Sequence, residues 1–315
     1  MDRLYKVILE KQGYNFIGEH TALKACHWTK SSITGNEACY KQKFYGIQSH
    51  RCAQMTPAVN FCNHDCVFCW RERNNSEFGT IDEPVKIANS IESAQRTLLS
   101  GYGGNPKTDR QRFAEAQDIK HVAISLNGES MAYPHIGELI SELKKQGKTT
   151  FLVTNGTFPS TLRTMIQKGQ LPTQIYVSVE APNKELYKII DRPIYEDTWY
   201  RLLETLSILK EINGMTRTVI RLTLVKGINM VESEGYAKII MLAEPKFLEI
   251  KGYSHVGASR QRLESENMPI HDEVRSFAIE IGRHCGYNLI DEQSVSRVVL
   301  MMKEDTPDRI LKEVL

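Results

Sequence analysis

Residues 121–156, HVAISLNGESMAYPHIGELISELKKQGKTTFLVTNG, decide the fold. HVAISLNGE is a short apolar run ending in Gly128 and a polar residue, the signature of a buried strand. IGELISELKKQGK repeats its apolar residues at helical spacing and stops at Gly147. TTFLVTNG is a second apolar run. Strand, helix and strand in this order make a βαβ unit. The strands are not cleanly two-faced, which describes a parallel sheet covered by helices.

The alternation continues outward in both directions. STLRTMIQKGQ reads as a helix with Ser160 as N-cap, QIYVSVEAP as a strand, and TWYRLLETLSILKEING as a long helix ending at Gly214. TVIRLTLVKGIN is a β-branched strand. ESEGYAKIIMLAEP, FLEIKGYSHVG, DEVRSFAIEIGRHCGY and VSRVVLMM read as helix, strand, helix and late strand. Upstream, EPVKIANSIESAQRTLLSGY is a helix with Pro84 in its first turn, and GYGGNPKTDRQRFAEAQ is an irregular insertion. A series of βα units without a second core describes one α/β barrel or open barrel. Its site is expected at the carboxyl ends of the strands: Gly128-Glu129, Asn155-Gly156, Glu180, Lys226-Gly227 and Gly252-Tyr253.

Composition narrows the class. The chain has 315 residues, enough for a sizeable core, and a formal net charge of only +2, so indiscriminate binding of nucleic acid is not announced by the total. No run of about 18 apolar residues predicts a membrane span. MDRLYKVILEKQGYNF lacks the apolar centre of a signal peptide, so a cytoplasmic protein is expected.

Six of the seven cysteines fall between residues 26 and 69, and Cys285 stands apart as a plain buried thiol. NFCNHDCVFCW carries Cys62-x3-Cys66-x2-Cys69. Three thiolates on one short loop can hold three irons of a four-iron cluster and leave the fourth open for chemistry. Structural zinc, with His64 or Cys52 as fourth ligand, is the other reading. Cys26, Cys39 and Cys52 form a second triplet with twelve residues between each pair. They suit a second open-iron cluster, zinc with His27 or His50, or inert buried thiols.

The Cys62-Cys66-Cys69 loop ahead of a βα series resembles the radical S-adenosylmethionine (SAM) superfamily. That resemblance implies a partial (β/α)6 TIM-like barrel over residues 58–315, preceded by a cysteine-bearing extension, 1–57. It implies that SAM chelates the open iron and is cleaved to a 5′-deoxyadenosyl radical. Gly128-Glu129 is similar to the glycine–glutamate element that holds the amino group of SAM. Asn155, Ser178, Glu180 and Arg221, at or near strand ends, are further candidate SAM contacts.

Taken together, ACHW, EACYKQKFYGIQSHRCAQMTP and CNHDCVFCWR resemble the 4-demethylwyosine synthases of wyosine and wybutosine biosynthesis, over most of the chain. The resemblance implies N1-methylguanosine at position 37 of phenylalanine tRNA as substrate and pyruvate as the source of two carbons. It also implies a second [4Fe-4S] cluster that polarises pyruvate, and a Schiff-base lysine. Lys41, two residues after Cys39, is the candidate, with Lys43 second. Eukaryotic relatives carry a flavodoxin-like domain that this chain has no room for. A stand-alone monomer with an external flavodoxin or ferredoxin as electron donor is therefore expected.

For tRNA, residues 1–60 hold eight Lys/Arg and four acids, 8 − 4 = +4. Lys43, Arg73, Lys107, Arg110 and Arg112 are candidate phosphate contacts, and Phe44, Tyr45 and Trp70 candidate stacking partners for anticodon bases. Two other functions fit parts of the pattern: a glycyl-radical activase, and a non-catalytic zinc-stabilised RNA-binding protein.

Overall fold

A computed structural model of the chain describes residues 3–59, 61–71 and 78–312. The first third supplies α1 (Arg3–Lys11), β1 (Tyr14–Phe16), β2 (Ala22–Lys24), α2 (His27–Ile33), α3 (Tyr40–Tyr45) and β3 (Cys52–Thr56). There follow α4 (Pro84–Leu99), α5 (Arg110–Glu115), β4 (His121–Ile124), α6 (Ile136–Lys145), β5 (Thr149–Thr154), α7 (Pro159–Gln167) and β6 (Gln174–Ser178). The remainder is α8 (Lys184–Ile190), α9 (Thr198–Glu211), β7 (Arg217–Leu224), α10 (Ser233–Ala243), β8 (Phe247–Gly252), α11 (His271–Cys285), β9 (Asn288–Gln293) and β10 (Val298–Met302).

All ten strands join one sheet in the order β1-β2-β3-β4-β5-β6-β7-β8-β10-β9. Strands β3 to β8 pair in parallel, which makes the six-stranded core of an open α/β barrel. β1 and β2 extend one edge antiparallel, and the β9–β10 hairpin extends the other. The sheet runs through the boundary expected at residue 57, because β3, from the cysteine-bearing segment, is the first parallel strand.

Strand alternation sorts the side chains. Val122, Leu152, Ile175, Ile220 and Leu248 point outward into a large core with the helices. Phe151, Tyr176, Val219 and Phe247 point inward and meet Tyr40, Phe44 and Tyr45 of α3. Helix α3 therefore lies inside the barrel and fills its lower end. A six-residue helix is far too short to hold itself. It is secured by tertiary bonds: the Leu311 N–H donates to the Tyr45 carbonyl at 2.8 Å, and Arg309 Nη1 donates to the Phe44 carbonyl at 2.9 Å.

Two local expectations change. Helix α7 begins at Pro159 with Phe158 as N-cap and no side-chain cap, so Ser160 sits within the first turn. The insertion before β4 is partly ordered as α5, whose N-cap Asp109 accepts from the Arg112 N–H at 3.0 Å.

Candidate active site

The loop bearing Cys62, Cys66 and Cys69 follows β3 and crosses the barrel mouth. It is tied to several strand ends. On the β4 side, the Glu129 N–H donates to the Phe61 carbonyl at 2.6 Å, and Arg71 Nε donates to the Leu126 carbonyl at 3.1 Å. On the β5 side, Asn155 Nδ2 donates to Asn63 Oδ1 at 2.7 Å. Beyond α8, the Val67 N–H donates to the Ile190 carbonyl at 2.8 Å. Beyond β8, Arg262 donates to the Val67 and Cys69 carbonyls. Gly128 makes the closest approach: at φ +70°, a Cβ there would lie 1.8 Å from the Ala58 carbonyl oxygen.

Cys66 is held by a buried carboxylate. Its Sγ donates to Asp191 Oδ1 at 3.2 Å, and His64 Nε2 shares a 2.7 Å hydrogen bond with the Tyr187 hydroxyl. Burial, then the Asp191 carboxylate, pushes the Cys66 thiol up. Burial likewise raises Asp191, and burial together with Asp191 raises Glu180. Among the described residues, only His64, Cys66 and Asp191 bring three ligand atoms within 4.8 Å of one another. A tetrahedral zinc with Zn–S bonds of about 2.3 Å draws its sulfurs to about 3.8 Å apart. Neither cysteine triplet is gathered that tightly. Soft thiols in threes also suit a multi-iron cluster.

The candidate SAM contacts sit around this mouth. Glu129 is buried, and its carboxylate accepts from the Met131 N–H, the Thr154 hydroxyl and the Asn155 N–H at 2.7 to 3.0 Å. It thus braces the ends of β4 and β5 beneath the cysteine loop. Glu180 accepts from the Thr223 N–H at 2.6 Å. Ser178 and Arg221 are register partners on β6 and β7, on the lumen side of the sheet.

The second triplet lines the lumen. Cys26 and Cys39 are the N-caps of α2 and α3, and Cys52 opens β3. Burial, then the neighbouring thiols, pushes Cys39 and Cys52 up to about 12. All the cysteines are free thiols. Lys41 projects from α3 with Nζ 4.2 Å from the centre of the Tyr176 ring and 5.1 Å from that of Phe151. Burial lowers its pKa. Glu249 and the thiols of Cys39 and Cys52 oppose the shift, and Arg221 adds to it.

The tRNA candidates scatter. Tyr45 and Phe44 are fully buried, and the Tyr45 hydroxyl donates to Glu249 Oε1 at 2.6 Å. These rings form the barrel floor and cannot stack on a base. Lys43 is held outside the lumen by an ion pair to Asp291 at 2.7 Å and a bond to the Glu292 carbonyl. Lys107, Arg110 and Arg112 lie in the α4–β4 connection, at the opposite end of the barrel from the cysteine loop. Arg110 and Arg112 donate to the carbonyls of Gly103 and Ser32. Arg73 falls outside the described residues. Trp70 is 42 % exposed beside Cys69, with the Arg71 guanidinium 2.9 Å from its ring centre.

Three residues of the site escaped the sequence reading: Asp191, Glu249 and Lys251. Glu249 and Lys251 left a trace in FLEIKG. A parallel strand covered on both faces has no solvent side for a charge, so Glu249 and Lys251 at alternate positions signal the lumen.

Comparison with known proteins follows this geometry. The radical SAM superfamily pattern matches residues 56–239, and a wyosine base formation pattern matches 242–303. The chain is 49 % identical over 304 residues to the SAM-dependent tRNA 4-demethylwyosine synthase of Pyrococcus horikoshii, covering 95 % of this chain and 88 % of that one. It is 41 % identical to the enzyme of the same name from Oryza sativa, covering 96 % of this chain but 46 % of that one. Among solved structures, TYW1 with a lysine-pyruvate adduct bound superposes with a TM-score of 0.89 at 36 % identity, over 99 % of both chains. Archaeal TYW1 superposes with a TM-score of 0.81 at 32 % identity, over 99 % of this chain and all of that one.

Proposed function

Because the chain belongs to the radical SAM superfamily and, within it, to the tRNA 4-demethylwyosine synthases, we propose that its two cysteine triplets and Lys41 serve the synthesis of 4-demethylwyosine from pyruvate and N1-methylguanosine at position 37 of phenylalanine tRNA. This membership removes the glycyl-radical activase and the non-catalytic zinc module as readings.

In this reading Cys62, Cys66 and Cys69 hold the [4Fe-4S] cluster, and Cys26, Cys39 and Cys52 hold a second. SAM bound at the first cluster, with an electron from an external flavodoxin or ferredoxin, supplies the radical that takes a hydrogen atom from the N-methyl group. The residues of the chain do the rest. Asn155, Ser178 and Glu180 shape the mouth around SAM, and Gly128 and Glu129 keep the cysteine loop pressed to the strand ends. Lys41 attacks the pyruvate ketone; water leaves, and an imine forms that fixes the pyruvate in the lumen. Pyruvate then gives two carbons to the tricyclic base, the ketone carbon within the new ring and the methyl as its substituent; the carboxylate carbon leaves as a one-carbon fragment, and the exocyclic amine of the guanine displaces Lys41 from the imine. Trp70, exposed at the rim, offers a stacking face for a base turned out of the anticodon loop.

The observation that carries the assignment is the place of Lys41. It stands in the lumen beside the second triplet, with its amine over an aromatic wall and its pKa lowered by burial. A neutral amine is the nucleophile, and removing the ammonium from water favours it.

Borohydride reduction in the presence of pyruvate tests the assignment by converting the imine to a stable amine. Peptide mapping should place the adduct on Lys41, and Lys41→Arg should abolish it while the iron content stays unchanged. An adduct on Lys43, or none in the wild type, would overturn it. Iron analysis tests the clusters: about eight irons should fall to about four in Cys26→Ala/Cys39→Ala/Cys52→Ala.

A further inference from the structure

We infer that Arg221 and Lys251 form a subsite for the carboxylate of the 2-oxo acid, so that the lumen selects a 2-oxo acid over a neutral ketone before Lys41 reacts. The inference rests on the reading of Lys41 as the condensing amine.

The register of the parallel strands sets Arg221 beside Glu249 and Thr223 beside Lys251. The alternation that turns Val219 and Phe247 into the lumen turns Arg221 and Lys251 the same way. The Arg221 guanidinium lies 5.9 Å from the centre of the Tyr176 ring, the same ring that Lys41 Nζ covers at 4.2 Å. Lys251 Nζ lies 5.8 Å from the ring of Tyr40, the residue before Lys41. Three cations thus surround two neighbouring rings, and all three are only partly buried.

One carboxylate is shared among the three cations. Glu249 is the carboxylate among them, fully buried, and its two oxygens accept from the hydroxyls of Tyr45 at 2.6 Å and Tyr40 at 3.0 Å. Among the described residues, no carboxylate lies within ion-pair distance of Lys41, Arg221 or Lys251. Three cations against one shared carboxylate leave the lumen wall net positive, and a second anion arriving there is attracted. Pyruvate carries one carboxylate and one ketone on adjacent carbons. If the ketone is to reach Lys41, the carboxylate, one bond away on the next carbon, faces the same lumen wall that carries Arg221 and Lys251. The methionine carboxylate of SAM offers the same chemistry, and the experiment must separate the two sources.

The readout is the pyruvate concentration that half-saturates the borohydride-trapped adduct, measured by intact mass on the cluster-loaded protein without tRNA. Methyl pyruvate, the neutral ester, is the control, and SAM affinity is measured in parallel. Lys251→Met and Arg221→Gln should each raise the pyruvate value roughly 10- to 100-fold, the scale of one charge-assisted hydrogen bond. They should leave the methyl pyruvate value within about threefold, and Lys251→Arg should restore most of the loss. Equal effects on the acid and the ester would overturn the subsite, as would no effect on either. Weakened SAM binding with an unchanged pyruvate value would assign the cations to SAM instead, and an adduct mapped to Lys251 would make it the nucleophile. A wild type that forms no adduct at all would overturn the Lys41 reading, and the subsite with it.

Discussion

Gly128 and His121 show how much the site depends on single atoms. At φ +70°, with backbone oxygens of Ala58 and Phe61 in the space of a Cβ, Gly128 admits no side chain. Gly128→Ala should force the cysteine loop off the end of β4 and lower stability by at least ~2 kcal/mol. It should also cut the iron retained by a variant that lacks the second triplet. Unchanged iron and an unchanged urea midpoint would refute this. His121 is a neutral, satisfied histidine: the Gln48 N–H donates to Nε2 at 3.1 Å, so Nδ1 carries the proton shared with the Thr149 hydroxyl at 2.6 Å. Burial, then the charges of Arg51, His50 and Lys120, holds its pKa down at about 4. In the unfolded chain it protonates near about 6.5. Between these values the unfolded state binds a proton that the folded state refuses, so stability falls as pH drops from about 6.5 to about 4 and is fully present above. The ceiling is ~3 kcal/mol. His121→Gln should flatten that part of the urea-midpoint profile, and parallel profiles for the two proteins would refute the assignment. The candidate cysteine ligands are legible because thiols crowd visibly in sequence. Asp191 is not, because its role comes only from the fold bringing α8 against the cysteine loop.

Helix α3 is the element on which the second triplet turns. It carries Cys39 and Lys41 at one end and is pinned at the other by Tyr45, Arg309 and Leu311. Tyr45→Phe removes one of two donors from a buried carboxylate and should cost ~2 kcal/mol. Iron should drop at the second triplet and hold at the first. Equal loss at both sites would show general unfolding instead. The sequence disclosed β4 to β8 well, since each is an apolar run bounded by helices. It did not disclose β1, β2 and β3. The first two have three residues each, too few for a period, and CAQMT of β3 contains a single β-branched residue, at its end. Their pairing comes from the neighbouring sheet edge, not from propensity. For the same reason nothing in the expected 1–57 extension announces that its β3 pairs in parallel with β4.

At the scale of the molecule, the first triplet sits where the parallel strands end, and the second sits with Lys41 in the lumen, the chamber those strands enclose. The charge balance of +2 conceals this, because the lumen cations are offset by acids elsewhere on the chain. Among the described residues, no helix is long and apolar enough to cross a membrane. A surface cavity of about 760 Å³ lies beneath the floor among the starts of β6, β7 and β8, and its charges pair with one another, as Lys246 does with Asp308. It is separated from the chamber by Phe44, Tyr45, Phe151 and Phe247, none more than 1 % exposed.

That aromatic floor dictates a timetable. With the lower end closed by these rings, the rim is the route for pyruvate and SAM among the described residues, and the anticodon loop must cover the same rim to deliver its methyl group. The small molecules therefore have to arrive first, and tRNA last. In a single-turnover experiment, enzyme preloaded with pyruvate and SAM should begin product formation without delay when tRNA is added. Enzyme preloaded with saturating tRNA should lag until the tRNA departs, and excess tRNA should inhibit at low pyruvate and not at high. Identical time courses from either order of mixing would mean that the chamber has a second door.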